Sequence, residues 1–235
     1  MTDGLLKGIR VLDFTDFLAG PYCGMYLADM GADVIKVENL RSGGNFVRGA
    51  RPKESKTGRS MYFQNLNRNK RGIAVDLKSE KGKELFTALV KSADVLVENN
   101  RPGVMKRLGF DYEACKAINP RLIFASISGF GQYGPYSSRP GYDLIAQAMG
   151  GSMSITGWPG MEPTRAGMAI GDMFAGLNAA IGICASLYKR QETGLGQSID
   201  VALVDSIVSG MEAKMMQYLY EGTVPVMTGN KYITS

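Results

Sequence analysis

The feature that most constrains this chain is an alternation of short, β-branched apolar runs with segments of helical spacing. IRVLDF is followed by a Gly-Pro turn and LAGPYCGMYLADMGADVIKVE, in which a short helix leads to a second apolar run. The order repeats as GIAVDL, then KSEKGKELFTALVKSAD with Leu85, Phe86, Leu89 and Val90 on one helical face, then VLVEN. A short helix around Tyr112 to Ile118 stops at Asn119-Pro120 and gives way to RLIFASIS. Parallel neighbours need a crossover where antiparallel ones need only a turn, so this alternation predicts a doubly wound α/β fold: a parallel sheet with helices on both faces. Ligands of such sheets gather at the carboxyl ends of the strands, which places Phe17 to Pro21, Glu38 to Arg41, Glu98 to Arg101 and Ser128 to Gly131 on one rim.

The second half reads as Gly-, Pro- and Ser-rich loops around a helix over Tyr142 to Met149. A long small-residue helix near Asp172, a strand SIDVALVD and a further helix running to Glu221 follow. Gly129, Gly131 and Gly134 spell GxGxxG after a strand, yet Pro135 and the residues after it open no helix and no acidic ribose partner follows. A dinucleotide site is therefore not expected.

Composition narrows the chemistry. The 235 residues are 45% hydrophobic and 21% charged, which suits a soluble globular chain. There is no histidine, so Ser-His and Cys-His nucleophiles, histidine acid/base pairs and histidine-bearing metal sites are excluded. Cys23, Cys115 and Cys184 are widely spaced and outside any CxxC pattern, which predicts core thiols and no metal. The start lacks a secretory signal, and the run Met173 to Tyr188 is short for a membrane span and holds Asn178, so a cytoplasmic protein with no membrane partner is expected. Residues 41–71 carry Arg41, Arg48, Arg51, Lys53, Lys56, Arg59, Arg68, Lys70 and Arg71 against Glu54 alone. Read as loop, this stretch predicts attraction to phosphates; the thin interleaving of aromatics argues against nucleic acid.

Asp172 follows a glycine at the head of AGMAIGDMFAGLNAAIGICASLYKRQETGLGQ. A carboxylate titrating near ~3.9, set among the exposed N–H groups of a helix start, is expected to be ionised and able to attack a carbonyl without a base. Position alone equally describes a helix cap.

Taken together, VLDFTDFLAGPYCGMYLADMGADVIKVEN, NLNRNKRGIAVDLKSEKGKELF, ADVLVENNRPGVMKRLGFDYEACKAINPRLIFASISGFGQYGP, PGYDLIAQAMGG and the Gly-Asp of Asp172 with its trailing TGLGQSIDVALVD closely resemble the class III CoA-transferases. The blocks keep the family's order and approximate spacing over nearly the whole chain. The resemblance implies a Rossmann-like CoA-binding domain over residues 1–235, a homodimer of interlocked subunits, and a further C-terminal part of the family fold beyond Ser235. It implies acyl-CoA and a small carboxylic acid as substrates, and Asp172 as a nucleophile that forms a mixed anhydride and then an aspartyl-CoA thioester. Developing oxyanion charge would be met by backbone donors such as those of Gly129 to Gly134.

The same resemblance assigns CoA contacts to Leu18 and Ala19 at the first strand end, to Val75, Asp76, Leu77 and Lys78, and to Asn99, Asn100 and Arg101 at the next two. Arg107 would reach a phosphate, and Arg139 through Tyr142 and Asp143 would close over the pantetheine. Many members carry arginine where this chain has Asn39, and Arg41 is the residue left to replace it. Two alternatives stand beside the transferase: a 2-methylacyl-CoA racemase, weakened because Tyr142 stands where such enzymes carry histidine, and a non-catalytic basic phosphate-binding module.

Overall fold

A computed structural model describes residues 4–231 of the chain. In chain order it comprises β1 (Arg10–Phe14), α1 (Ala19–Asp29), β2 (Asp33–Asn39), α2 (Met61–Leu66), β3 (Lys70–Val75), α3 (Glu80–Ser92), β4 (Val95–Glu98), α4 (Val104–Leu108) and α5 (Tyr112–Ile118). It continues with β5 (Ile123–Ser128), α6 (Asp143–Met149), α7 (Ser152–Ile155), α8 (Ile170–Thr193), β6 (Ser198–Ala202), α9 (Leu203–Ser209) and α10 (Glu212–Glu221). The six strands form one sheet in the order β3-β2-β1-β4-β5-β6, every pairing parallel. The strand order reverses between β1 and β4, the point at which an open parallel sheet leaves a crevice at its carboxyl edge.

Period-two alternation sorts the strand residues between two cores. Val11, Val34, Val95, Val97, Ile123, Ala125 and Ile127 pack with Cys23 and Leu27 of α1 and with Ala175, Ala179 and Ile183 of α8. Leu12, Ile35, Leu96 and Phe124 face the other way, onto Phe86 and Val90 of α3, Met105 of α4 and Cys115 of α5. Because both faces are covered, the strands read as nearly continuous apolar runs, each buried Val, Leu or Ile contributing roughly 1.5–3 kcal/mol. α8 is 24 residues long, beyond the run expected from Met173 to Tyr188, and has the length and composition of a membrane-crossing helix; its small-residue face is core. Cys23 and Cys115 are buried, while Cys184 is half-buried.

Two expectations for the second half need correction. The strand expected over SIDVALVD ends at Ala202, and Leu203 to Asp205 belong to α9, where the Ser206 hydroxyl donates back to the Ala202 carbonyl. The helix expected to reach Glu221 is broken at Gly210, whose absent side chain makes room for the Phe174 ring; a Cβ there would lie 2.9 Å from it.

The basic stretch 41–71 is also not a bare loop. It holds α2 and two short 3-10 turns, and five of its nine cations are matched by acids outside it: Arg41 by Asp76, Arg48 by Glu38, Arg68 by Asp29, Arg71 by Asp33 and Lys70 by Asp13. Its apparent excess of charge is largely consumed in tying the β2–β3 connection to the rest of the fold, and that weakens the phosphate-module reading.

The Lys70 pair belongs to a buried cluster. Asp13 is fully buried, with Lys36 Nζ 3.0 Å from Oδ1 and Lys70 Nζ 2.8 Å from Oδ2. Lys36 donates also to the Thr15 carbonyl, and Lys70 to the Pro21 carbonyl at 2.8 Å and Asn67 Oδ1 at 3.1 Å. The turn from β1 to α1 is thereby held from below by two ammonium groups, and its upper surface faces the crevice.

Candidate active site

Six chain segments meet at the crevice. The β1–α1 turn contributes Asp16, Phe17 and Leu18, and Phe17 holds a left-handed φ of 62°, strained for a non-glycine residue. Asn99, from the loop after β4, spans the switch point: its Oδ1 accepts from the Asp16 N–H at 2.8 Å and its Nδ2 donates to the Asp16 carbonyl at 2.7 Å. Its amide is thus committed to joining the two loops. Asn100 turns back on Glu98, with its N–H 2.8 Å from Oε2, whereas Arg101 is exposed and carries no acid partner among the described residues.

Asp16, Phe17, Asn99, Asn100 and Arg101 line a cavity of about 300 Å³ together with Ala19, Ser128, Gly129, Arg139, Tyr142 and Asp172. Ser128 Oγ is the one buried side-chain oxygen or nitrogen among the described residues that lacks a hydrogen-bond partner. Buried polar groups are nearly always satisfied, so a hydroxyl left open at this wall is suited to a polar ligand. Of the loop Gly129 to Gly134, Gly129 reaches the cavity, and it does so because its backbone packs against Gly141 at a distance no Cβ would allow. Gly131 faces Asp200 instead, and the Cβ direction of Gly134 is open. The GxGxxG run is followed by turns, with no helix before α6.

Asp172 lies at the third position of α8, and the structure separates it from a capping role. The N-terminus of this helix is served by Asp143, whose Oδ1 accepts from the Gly171 N–H at 2.8 Å while Oδ2 accepts from Gln147 Nε2 at 2.7 Å. Asp172 itself makes no hydrogen bond or ion pair among the described residues. It is half-buried and faces the first cavity on one side. On the other side is a second cavity, of about 350 Å³, lined by Phe17, Leu18, Val47, Tyr62, Tyr142, Asp143, Leu144, Arg165 and Ala169.

Its expected charge state is corrected. Burial, reinforced by the Asp143 carboxylate, pushes the Asp172 carboxyl up to about 7. A shift of that size corresponds to about 4 kcal/mol at ~1.36 kcal/mol per pKa unit, against the ~0.3–1 kcal/mol that a helix terminus typically returns. Desolvation therefore outweighs the dipole. Asp172 in turn helps burial raise the Tyr62 phenol above its usual range, which places Tyr62 within its field.

Other sequence-assigned residues fall into two groups. Leu77, Lys78 and Arg107, with Lys83, line a further cavity of about 500 Å³ that shares Val104 with the first, so the two run along one rim. Val75 is corrected: its side chain is packed in the second core, and it can present only backbone. Asn39 accepts from the Arg41 N–H at 3.0 Å, and Arg41 Nε donates to Asp76 at 2.8 Å. These three residues form a surface cluster at the ends of β2 and β3 that lines none of the three cavities. Phe17 and Ser128 stand on the rim expected from the strand ends, whereas Tyr62 and Arg165 were not singled out from the sequence; no motif marks these two, since each shares a cavity with Asp172 only through the fold.

The sequence profile described as CoA-transferase family III matches residues 6–235. The chain is 44% identical over 238 residues to a succinyl-CoA:mesaconate CoA-transferase of Haloarcula hispanica, covering 98% of this chain and 60% of that protein. It is 44% identical over 232 residues to a succinate–glutarate CoA-transferase of Agrobacterium fabrum, covering 97% of this chain and 58% of that protein. The crystal structure of a CAIB/BAIF family protein from Brucella suis superposes with a TM-score of 0.93 at 43% identity, covering 98% of this chain and 61% of that one. The chain therefore spans about three fifths of the length of the curated relatives it matches.

Proposed function

The chain belongs to CoA-transferase family III, and on that premise we propose that it moves CoA from an acyl-CoA thioester to a free carboxylic acid with Asp172 as the nucleophile. The observation that carries this reading is a carboxylate with no structural partner standing between two cavities. The first cavity takes the pantetheine arm, with Ser128 Oγ and the Gly129 backbone on its wall, and Arg139 and Tyr142 at its mouth. The neighbouring cavity along the rim, with Lys78 and Arg107, receives the phosphates, while the second cavity holds the acid. The mesaconate, succinate and glutarate in the relatives' names support a small carboxylic acid as the second reactant.

The steps balance without a proton shuttle. An Asp172 oxygen adds to the thioester carbonyl and the C–S bond breaks, leaving an acyl-aspartyl anhydride and CoA thiolate. The thiolate adds to the Asp172 carbonyl of the anhydride and expels the donor carboxylate, giving an aspartyl-CoA thioester. The acceptor carboxylate then displaces thiolate to form a new anhydride, and the thiolate attacks the acceptor's carbonyl, releasing the Asp172 carboxylate and the new acyl-CoA. The leaving thiolate is stable because thiols titrate near ~8.5, so the missing histidine is no obstacle.

Only the ionised carboxylate attacks, and its pKa near 7 sets the pH dependence. In the chain free of substrate, kcat/KM for the acyl-CoA is expected to rise about 10-fold between pH 6 and pH 8 and then level. A profile already flat at pH 5.5 would show that the carboxylate is charged in spite of its burial. The assignment itself is tested by incubating the protein with acyl-CoA, trapping with hydroxylamine and mapping the product by mass spectrometry. The expected result is a hydroxamate at Asp172; an active protein modified elsewhere or nowhere overturns the reading.

Assembly as the interlocked homodimer implied by the family belongs to the same proposal. Ile181 and Tyr188 on α8 and Leu219 and Tyr220 on α10 are more than half exposed in the single chain and are suited to being covered.

A further inference from the structure

Resting on the transfer reading above, we propose that Arg165 makes the acid cavity selective for carboxylic acids that carry a second carboxylate, by pairing with the carboxylate that does not react. The cavity that would receive the acid is about 350 Å³, at the small end of the ~300–1,000 Å³ typical of ligand sites, and so fits a compact molecule. Its charged lining consists of Asp143, Asp172 and Arg165. Two carboxyl groups share this lining with a single cation, the one group in it whose charge attracts an anionic substrate.

That cation is free to act. Arg165 has no carboxylate partner among the described residues; Nη1 alone is engaged, reaching the carbonyls of Ala166 at 3.2 Å and Gly167 at 3.5 Å, next along its own loop. Asp143 does not compete for it, because both its oxygens are taken by Gly171 N–H and Gln147 Nε2. The remaining guanidinium N–H groups match the two oxygens of a carboxylate in plane, the geometry in which arginine binds best.

Its place is set from behind by a buried amide. Gln147 is fully buried; its Oε1 accepts from the Ala166 N–H at 2.8 Å, and its Nε2 donates to the Met168 carbonyl at 3.2 Å and to Asp143 Oδ2 at 2.7 Å. One side chain thus clamps the Arg165 loop and, through Asp143, the first turn of the Asp172 helix. The same lining carries apolar Leu18, Val47 and Leu144 beside the cation and the nucleophile, which suits a short hydrocarbon spacer. A second carboxylate at the far end is the chemistry this arrangement recognises.

The test compares the full chain with Arg165→Gln and Arg165→Lys, using succinate and glutarate against butyrate and valerate. Affinity for each free acid is measured by calorimetry, and kcat/KM for each as acceptor is measured alongside. The expected result is that the wild type prefers the dicarboxylates, that the preference falls about 10-fold or more in Arg165→Gln, and that Arg165→Lys keeps part of it, in line with the loss of a charge-assisted contact. Equal losses for both kinds of acid would mean that Arg165 holds the reacting carboxylate or merely the loop, and an unchanged preference would mean that it plays no part; either overturns the proposal. Failure of the transfer reading has a different signature: no hydroxamate forms at Asp172 in the wild type, whereas the affinities still report directly on Arg165.

Discussion

Asp172→Asn is expected to lower acyl exchange by about 10³-fold or more, while the dissociation constant for CoA changes by less than about 3-fold. The amide keeps the shape of the side chain but removes the lone-pair charge that attacks the thioester. CoA affinity is largely retained because the cationic contacts assigned to it, at Lys78 and Arg107, lie along the rim in another cavity. Misfolding as the cause of inactivity is excluded by a stability measurement with a defined sign. The Asp172 carboxyl titrates near 7 in the folded chain against 3.8 for an unperturbed group, so the folded state holds the proton more tightly. Its contribution to stability is fully present below about pH 4 and is lost as pH rises through 7. Asparagine does not titrate, so relative to the wild type the variant should gain roughly 1–3 kcal/mol in urea unfolding between pH 4 and pH 8, a figure discounted for the partial exposure of the group. An inactive variant that is more stable at pH 8 marks a nucleophile; an active one ends the assignment.

Asp13→Asn is expected to destabilise the fold by about 3–5 kcal/mol, because it leaves Lys36 and Lys70 buried and facing each other without a counter-charge. Burial alone would raise the Asp13 carboxyl, but the two lysines and the hydrogen bonds from Lys70 and Thr15 bring it down to about 2. A lowered carboxylate pKa stabilises above the unfolded value, here 3.8, and that stability disappears as pH falls towards 2. Urea midpoints measured from pH 7 to pH 2.5 should therefore fall steeply below about pH 4 in the wild type and much less in the variant. Adding Lys36→Met restores the wild-type net charge of the cluster and should recover part of the loss. A single-variant loss below about 1 kcal/mol would show that water reaches these lysines.

The two groups differ in how far they could be read in advance. Asp172 was legible, since a glycine-led aspartate at the head of a small-residue helix, within ordered blocks of family resemblance, is a local pattern. Its charge was not, because the groups that desolvate it come from distant loops and Asp143 lies 29 positions away in the chain. Asp13 was visible only as a polar interruption in an apolar strand, since its partners are 23 and 57 residues distant. The basic stretch misled for the same reason: its excess of charge is real in the sequence, but the acids that neutralise five of its nine cations are brought to it by β1 and β2, the end of α1 and the turn after β3.

What the amino-acid order determined by itself is whatever depends on neighbours within a turn or a pleat. The apolar alternation committed the chain to parallel strands and covering helices, and glycine preceding Asp172 at a helix start marked the carboxylate. The tertiary structure decided the rest. It chose the strand order that opens a crevice between β1 and β4, gave the capping of α8 to Asp143 so that Asp172 stays unbonded, and brought Tyr62, Ser128 and Arg165 around it. The physical reason is one of range: backbone periodicity is set by near neighbours, whereas desolvation and charge pairing depend on every group within several ångströms, whichever part of the chain supplies it.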